Sequence, residues 1–347
     1  MDSVEEKKDC IKRYILEKIE IEESDIVART STSFGISSKE VVGFIRELEE
    51  NGAIERKDGG FQLVYSIDFV TLCRDENQLV DEDIIYDDFL KKYVSDLPNN
   101  IQRIWQYTFM EMMNNAIEHS EAKEVTIGIR SDYLGIIIVI VDNGIGIFRK
   151  IKEYYNYESL DDAVNELFKG KLTTDTKNHS GEGIFFTSRV LDKFAAMSDG
   201  KIFTHDNYEE ALHNLDNYEL LKKYKDIEGT LIFMELSRFS NKTIAEVMDM
   251  FAGVDEGFTK TSIPIRNIFG EYPVSRSQAR RLYNRLEDFQ EVELDFDGIS
   301  EIGQGFAHEL FVVFHNKYPD TRLIPRNISE RVEKMIKHVE HTSFSTK

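Results

Sequence analysis

The feature that most constrains this chain is a set of three short motifs that follow one another between residues 111 and 183. Residues 111–119 read EMMNNAIEH and lie within a segment, 101–119, whose apolar residues recur at helical spacing. Residues 142–147 read DNGIGI and follow the apolar run 135–141, which is typical of a central strand. Residues 181–183 read GEG and precede a predicted helix. Each motif is common on its own, but their order on compatible elements predicts one shared binding site.

Glu111 and Asn115 are expected to lie on one face of the first helix, because residues four apart project from the same side. The side-chain oxygen of Asn115 can complete the shell of Mg²⁺, whose other ligands are usually waters and phosphate oxygens. A carboxylate one turn earlier can orient or deprotonate the group that attacks a terminal phosphate. The pair predicts Asn115 as a magnesium ligand and Glu111 as a catalytic residue, with a solvated helix face as the alternative.

The other two motifs predict how an adenine nucleotide is held. Asp142, at the end of its strand, can accept a hydrogen bond from the exocyclic amine of adenine. Glycines after it let the chain approach the base without a Cβ, and the helix after Gly183 has free N–H groups that would hold phosphates. Thr230, on a later strand, could bind the base through its hydroxyl. The residues that these motifs predict to bind nucleotide are Asn115, Asp142, Gly144, Gly146, Ile147, Gly181, Gly183 and Thr230.

Composition sets the class of protein. The 347 residues are 41% hydrophobic and 31% charged, with a net charge of −21, which indicates folded domains and argues against a general nucleic-acid coat. The longest apolar run is too short to cross a bilayer. The two cysteines have no metal-ligand spacing, and the N-terminus has no apolar segment typical of a signal peptide. We therefore expect a cytoplasmic protein without membrane partners.

The pattern of elements predicts three units. Residues 1–66 read as three helices closed by a hairpin. Residues 67–240 alternate helices and strands and carry the motifs, with a helix predicted over 183–194 and an irregular, polar, partly helical insertion over 148–180. Residues 241–347 alternate strands and helices again, which is typical of a small α/β domain. The predicted fold class is therefore a mixed α+β and α/β multidomain protein.

The three motifs resemble those of the GHKL ATPases, the family shared by histidine kinases, gyrase, the MutL repair proteins and anti-sigma-factor serine kinases. Residues 111–119 resemble its N box, 142–147 its G1 box and 181–185 its G2 box. The glutamate of the first box is more similar to the anti-sigma kinases and ATPases than to histidine kinases. The resemblance covers about residues 67–240 and implies a Bergerat α/β sandwich that binds ATP and Mg²⁺, with an ATP lid at about 148–180.

The same resemblance implies that cations of the lid contact phosphates. Lys169, Lys171 and His179 lie in the segment that corresponds to the lid, and each is a candidate for such a contact. A solvated lid surface is the alternative for each of them.

The flanking units resemble two further folds. Residues 1–66 resemble a winged helix-turn-helix domain, and residues 241–347 resemble a STAS-like domain, the fold of anti-sigma-factor antagonists. Residues 294–299 match the strand before the phosphoacceptor loop of those antagonists, but 303–306 read GQGF where they carry Asp-Ser-Ser-Gly. Without that hydroxyl, phosphorylation of this unit at that position is not expected. A basic helical patch, which could hold a phosphate or a partner or be merely solvated, is predicted from Arg276, Arg280, Arg281 and Arg285.

Two functions are compatible with these features. The first is an ATP-binding GHKL-type regulatory switch, a Mg-dependent ATPase or a serine/threonine kinase, that acts on a regulatory protein partner in signalling or transcription control. The second is a non-catalytic DNA-binding regulator that uses ATP only as a ligand. Residues 1–66 carry ten Lys or Arg against fifteen Asp or Glu, whereas a DNA reader should be basic, so protein contact is favoured over DNA. A homodimer is also compatible, because GHKL proteins often dimerise.

Overall fold

The computed structural model describes residues 2–57, 59–171, 182–205, 228–253, 257–283 and 285–344. Helices and sheets are interleaved along the chain, which confirms the predicted mixed α/β multidomain class. No helix within these ranges is long and apolar enough to cross a membrane. The helices, apart from short π-helical and 3₁₀ turns, are α1 (Asp2–Glu20), α2 (Ile26–Phe34), α3 (Ser38–Glu50), α4 (Glu82–Ile85), α5 (Lys91–Val94), α6 (Asn99–Asn114), α7 (Ile147–Tyr155), α8 (Leu160–Lys169), α9 (Gly183–Val190), α10 (Ile244–Phe251), α11 (Ile265–Phe269), α12 (Arg276–Tyr283), α13 (Gln304–His308), α14 (His315–Lys317) and α15 (Glu330–Phe344).

The N-terminal unit has the predicted order of three helices and a hairpin. Helix α3 begins with a capping box in which Ser37 and Glu40 satisfy each other's backbone N–H groups. An antiparallel pair, β1 (Ile54–Lys57) and β2 (Gly60–Leu63), follows it. Buried aliphatic side chains of α1 and α3 form a small separate core with the hairpin. Its assignment as a winged helix, and the boundary after residue 66, remain predictions.

A six-stranded antiparallel sheet forms the centre of the molecule. Its strands are β3 (Ser66–Cys73), β4 (Glu124–Ser131), β5 (Gly135–Asp142), β6 (Lys193–Ser198), β7 (Lys201–Thr204) and β8 (Leu231–Ser237). The order across the sheet is β3-β4-β5-β8-β6-β7. Strand β5 therefore lies in the interior with apolar side chains on both faces, as its continuous apolar run predicted.

One face of this sheet is covered by helices. Helix α6 buries Trp105 and Phe109 completely, and it contacts α9, which packs in turn on β6. These side chains belong to a continuous core that extends into the C-terminal unit as far as α15. Because these elements are neighbours, the end of α6, the end of β5 and the start of α9 lie in the same part of the molecule.

The predicted helix over 183–194 is too long. Helix α9 ends at Val190, and β6 begins at Lys193. Phe194 and Ala196 belong to the helix-covered core, whereas Ala195 and Met197 lie on the opposite face of the sheet. This period of two, fixed by pairing with β8, marks a strand rather than a helix.

The insertion predicted over 148–180 as irregular and polar is more regular than expected in its described part. Helices α7 and α8 occupy most of residues 147–169. Helix α8 buries Ala163, Leu167 and Phe168 because it lies between β7 and the first strand of the C-terminal sheet. Residues 172–180 of this insertion lie outside the described residues.

The C-terminal unit is built on a three-stranded parallel sheet. Its strands are β11 (Lys260–Pro264), β12 (Glu291–Asp295) and β13 (Arg322–Arg326), in that order, and a short antiparallel pair, β9 (Ala252–Gly253) and β10 (Gly257–Phe258), precedes them. Strand–helix alternation was predicted here, and β12, β13 and their helices are found as expected. Strand β11 and helix α11 were not predicted. The boundary at 240/241 remains a prediction.

Candidate nucleotide-binding site

Asp142 lies at the last position of β5, where its side chain is almost fully buried. Its Oδ1 accepts hydrogen bonds from the backbone N–H of Gly144 at 2.9 Å and of Thr230 at 3.3 Å. Burial raises the pKa of this carboxyl, and the bonds from Gly144 and Thr230 oppose that rise. The side chain of Thr230 also hydrogen-bonds this carboxyl. Because each carboxylate oxygen can accept more than one hydrogen bond, the group can still accept from a ligand amine.

The turn after Asp142 rests on the end of the preceding helix. A Cβ on Gly144 would lie 2.0 Å from the carbonyl oxygen of Ser120, and the N–H of Ile145 donates to that same oxygen at 2.9 Å. The side chain of Asn143 accepts from two backbone N–H groups at the start of β4. Only glycine at position 144 allows this close approach, which places the turn after Asp142 against Ser120, the residue that follows the first motif.

A second close approach involves Gly229 and Thr230. A Cβ on Gly229, whose φ is +109°, would lie 2.1 Å from the carbonyl oxygen of Asp142. The hydroxyl of Thr230 accepts from the N–H of Ile147 at 3.1 Å, at the first residue of α7. Gly146 adopts a φ of +82°, and a Cβ there would meet Ser198. The structure therefore brings Asp142, Gly144, Gly146, Ile147 and Thr230 together.

Glu111 faces the start of α9. A Cβ on Gly183 would lie 2.1 Å from Oε2 of Glu111, so the first and third motifs are in direct contact. Tyr107, one turn before Glu111, is half-buried beside it, and burial together with the charges of Glu111 and Glu182 raises the pKa of its hydroxyl. The Tyr107 hydroxyl is therefore protonated at neutral pH.

Asn115 is half-buried at the point where α6 passes into a π-helical turn over Asn115–His119. Its side-chain amide makes no hydrogen bond with any residue of the described ranges. The π-helical turn ends the α-helical hydrogen-bonding pattern of α6, in which each N–H donates to the carbonyl four residues earlier. Within this turn, the carbonyl of His119 accepts a hydrogen bond from Nζ of Lys150. A half-buried amide with no hydrogen-bond partner in the described part of the chain suits the predicted contact with a hydrated cation.

Two of the lid cations, Lys169 and Lys171, lie within the described residues, and each contacts other protein groups. Lys169 is buried and bound to Glu166, and Nζ of Lys171 donates to the carbonyl of Asp288 at 3.0 Å in the C-terminal unit. Both ammonium groups therefore contact protein, and the predicted phosphate contact of Lys171 remains a prediction. His179 and Gly181 lie outside the described residues.

The basic patch predicted on the C-terminal helix does not form as expected. Helix α12 ends at Tyr283, so Arg285 lies beyond it. Arg280 binds Glu309 at 2.6 Å, and Arg285 binds Glu166 at 3.2 Å. Arg280 on the helix and Arg285 beyond it therefore each pair with a carboxylate from another element, which the spacing of the arginines does not reveal.

Several supporting residues were not predicted. Ser120, Asn143 and Lys150 all hold the turn between β5 and α7 through backbone contacts. Asparagine before glycine is typical of a turn, but this pattern does not indicate the bonds that Asn143 accepts from residues 123 and 124 on another part of the chain. Nothing in the sequence identifies the carbonyl of Ser120, since its role depends on tertiary packing.

Two parts of the chain match known families. Residues 100–239 match the histidine kinase-, DNA gyrase B-, and HSP90-like ATPase family, and residues 278–333 match a STAS-like domain of unknown function (DUF4325). None of the curated proteins matches the chain. Domains of the first family bind ATP, typically with Mg²⁺. The chain thus carries a GHKL-type ATP-binding domain followed by a STAS-like domain.

Proposed function

We propose that this protein is an ATP-dependent regulatory switch whose nucleotide lies between α6 and the end of β5. The observation that carries this proposal is Asp142, a buried carboxylate held by Gly144 and Thr230 at the edge of a turn that only glycines permit. A carboxylate in this position can distinguish adenine by accepting from its exocyclic amine. The contact between Glu111 and Gly183 supports a triphosphate directed toward the start of α9.

Each motif residue has a distinct role in this proposal. Asp142 and Thr230 recognise the base, while the glycines at 144 and 146 shape its surroundings. The side-chain oxygen of Asn115 would hold a Mg²⁺ ion, which, when bound, neutralises phosphate charge. Glu111 orients or deprotonates the attacking group, because its carboxylate lies at the helix start where phosphates are expected. Gly181, His179 and Lys171 remain candidates for phosphate contacts.

The attacking group is either water or a hydroxyl of another protein. Glu111 is compatible with both, and its presence supports the likeness to anti-sigma-factor serine kinases. Residues 303–306 of this chain offer no hydroxyl at the acceptor position. We therefore infer that any phosphoryl acceptor is a serine or threonine of a separate regulatory partner. A role in signalling or transcription control would follow from that partner.

The proposal is tested by release of γ-phosphate from ATP. We expect Glu111→Gln to lower turnover by about 10²- to 10⁴-fold, the usual contribution of a general base, while ATP binding is retained. Glu76→Gln changes an exposed glutamate in the turn after β3 and serves as the matched control. Wild-type protein that binds no ATP by calorimetry, or Glu111→Gln with unchanged turnover, would contradict the proposal.

A further inference from the structure

Helix α8, which lies within the predicted lid, ends in a buried charged group. Glu166 and Lys169 of α8 are both almost fully buried, and Oε1 of Glu166 lies 2.5 Å from Nζ of Lys169. Oε2 of Glu166 lies 3.2 Å from Nη1 of Arg285, which belongs to the STAS-like domain. Removing one member of a buried pair leaves a charge without compensation. This group therefore fixes α8 against the STAS-like domain.

Arg285 makes a second contact, with the backbone just after α8. Its Nη2 donates to the carbonyl of Lys171 at 2.7 Å, and Nζ of Lys171 donates back to the carbonyl of Asp288 at 3.0 Å. Lys171 and Arg285 adopt φ values of 53° and 62°, which are uncommon for residues with a Cβ. Such conformations persist only where surrounding contacts hold them. The reciprocal bonds therefore determine the path of the chain at Lys171.

Aromatic packing reinforces this contact. The ammonium of Lys171 lies 4.7 Å from the ring centroid of Phe289 and 5.6 Å from that of Phe258. A Cβ on Gly170, whose φ is +81°, would lie 2.7 Å from the rings of Phe258 and Phe185. Gly170 is therefore enclosed between a ring of α9 and a ring of the C-terminal unit, and a side chain at this position would have no room.

The other flank of the nucleotide site is attached to the same unit. Arg189 of α9 donates to the carbonyl of Ser262 in β11 at 2.9 Å, and its guanidinium stacks 3.4 Å from the ring centroid of Phe185. The hydroxyl of Thr261, also in β11, donates to the carbonyl of Lys169 at the end of α8. Strand β11 thus contacts both α8 and α9, the helices that flank residues 172–181.

We propose that the STAS-like domain sets the triphosphate affinity of the nucleotide site in the same chain, and that Arg285 is the positioning residue through which it acts. This inference rests on the proposed function. Arg285 fixes α8 and Lys171 on one flank, while β11 fixes α9, whose first residue touches Glu111. The adenine end of the site, at Asp142, is supported by other contacts and does not depend on Arg285.

The test compares the binding of ATP and adenosine to full-length protein by calorimetry in the presence of Mg²⁺. We expect Arg285→Gln to weaken ATP binding by about fivefold or more, the usual lower range of coupling between sites, and to leave adenosine binding unchanged. Arg285→Lys keeps a cation beside Glu166 but loses the forked geometry, so it should weaken ATP binding similarly with little change in thermal stability. Arg331→Gln, which removes an exposed pair with Glu301, is the control.

The outcomes separate this inference from the proposed function. Equal weakening of ATP and adenosine binding by both Arg285 variants would overturn the positioning role, as would unchanged ATP binding in Arg285→Lys. Wild-type protein that binds neither ligand would overturn the proposed function itself. Selective loss of ATP affinity in Arg285→Lys, with Arg331→Gln like wild type, supports the inference.

Discussion

At the scale of single residues, the burial that places Asp142 for ligand binding also disfavours its ionised form. Burial disfavours its charged form, whereas the N–H groups of Gly144 and Thr230 favour it. The net effect raises the pKa of this carboxyl above its value in the unfolded chain. Its contribution to stability is therefore fully present below the unfolded pKa and is lost as pH rises through the folded pKa. When it is ionised, the group therefore lowers the free energy of unfolding.

Replacing this carboxylate should separate stability from binding. Asp142→Asn keeps an oxygen that can accept from Gly144 and Thr230, so we expect unfolding in urea to show equal or greater stability at pH 7 and no gain near pH 4. The amide cannot serve an adenine amine in the same way, and ATP affinity should fall by about ten- to a hundredfold, the value of a hydrogen bond to a charged group. A variant that loses stability at pH 7, or keeps ATP affinity, would refute this role.

At the scale of elements, the sequence predicted most of the secondary structure but not its tertiary partners. The apolar run of β5 and the helical stripe of α6 were readable because each is long and strongly periodic. Residues 191–194 were placed in a helix because β6 is short and alternates between two buried faces. The burial of Lys169 was not readable. Its carboxylate partner, Glu166, lies one turn earlier on α8, but the strand that covers the end of α8 belongs to the C-terminal unit.

The start of α9 offers a prediction in which a better helix former lowers turnover. Gly183→Ala improves helix propensity, but its Cβ would displace the half-buried carboxylate of Glu111. We expect at least a tenfold loss of γ-phosphate release and no rise in melting temperature, because displacing that carboxylate offsets the gain in propensity. Gly43→Ala in α3, where nothing lies within 4 Å of the added methyl, should raise stability alone. Unchanged turnover in Gly183→Ala would show that Glu111 has room to move.

At the scale of the whole molecule, the N-terminal unit packs directly against residues next to the strands of the central sheet. Leu134, at the tip of the β4–β5 hairpin, packs into the N-terminal core. Arg13 of α1 lies 5.7 Å from the ring centroid of Phe239, just beyond β8. Basic side chains of this unit are engaged locally, since Arg56 pairs with Glu49 and Lys12 with Glu47. These pairs reduce the free positive charge of a unit that is already net acidic.

The salt dependence of DNA binding distinguishes a DNA ligand of residues 1–66 from a protein ligand. We expect full-length protein to show no more than weak retention of duplex DNA in fluorescence anisotropy, with little change between about 50 and 200 mM salt, because few cations are available to displace counterions. Arg56→Gln should alter neither value. Tight binding with a steep salt slope that Arg56→Gln makes shallower would instead establish DNA as the ligand of residues 1–66.

The attachment of α8 and α9 to β11 also has a consequence for biosynthesis. A ribosome completes residues 111–205 before it reaches Thr261, Ser262 and Arg285. In the emerging chain, Arg189 therefore lacks its acceptor, the carbonyl of Ser262. The carbonyls of Lys169 and Lys171 likewise lack their donors, Thr261 and Arg285. Phe185 likewise lacks Phe258 until then. The ATP domain should therefore mature only after the last third of the polypeptide has been translated, and fragments that stop near residue 240 should need chaperones to remain dispersed.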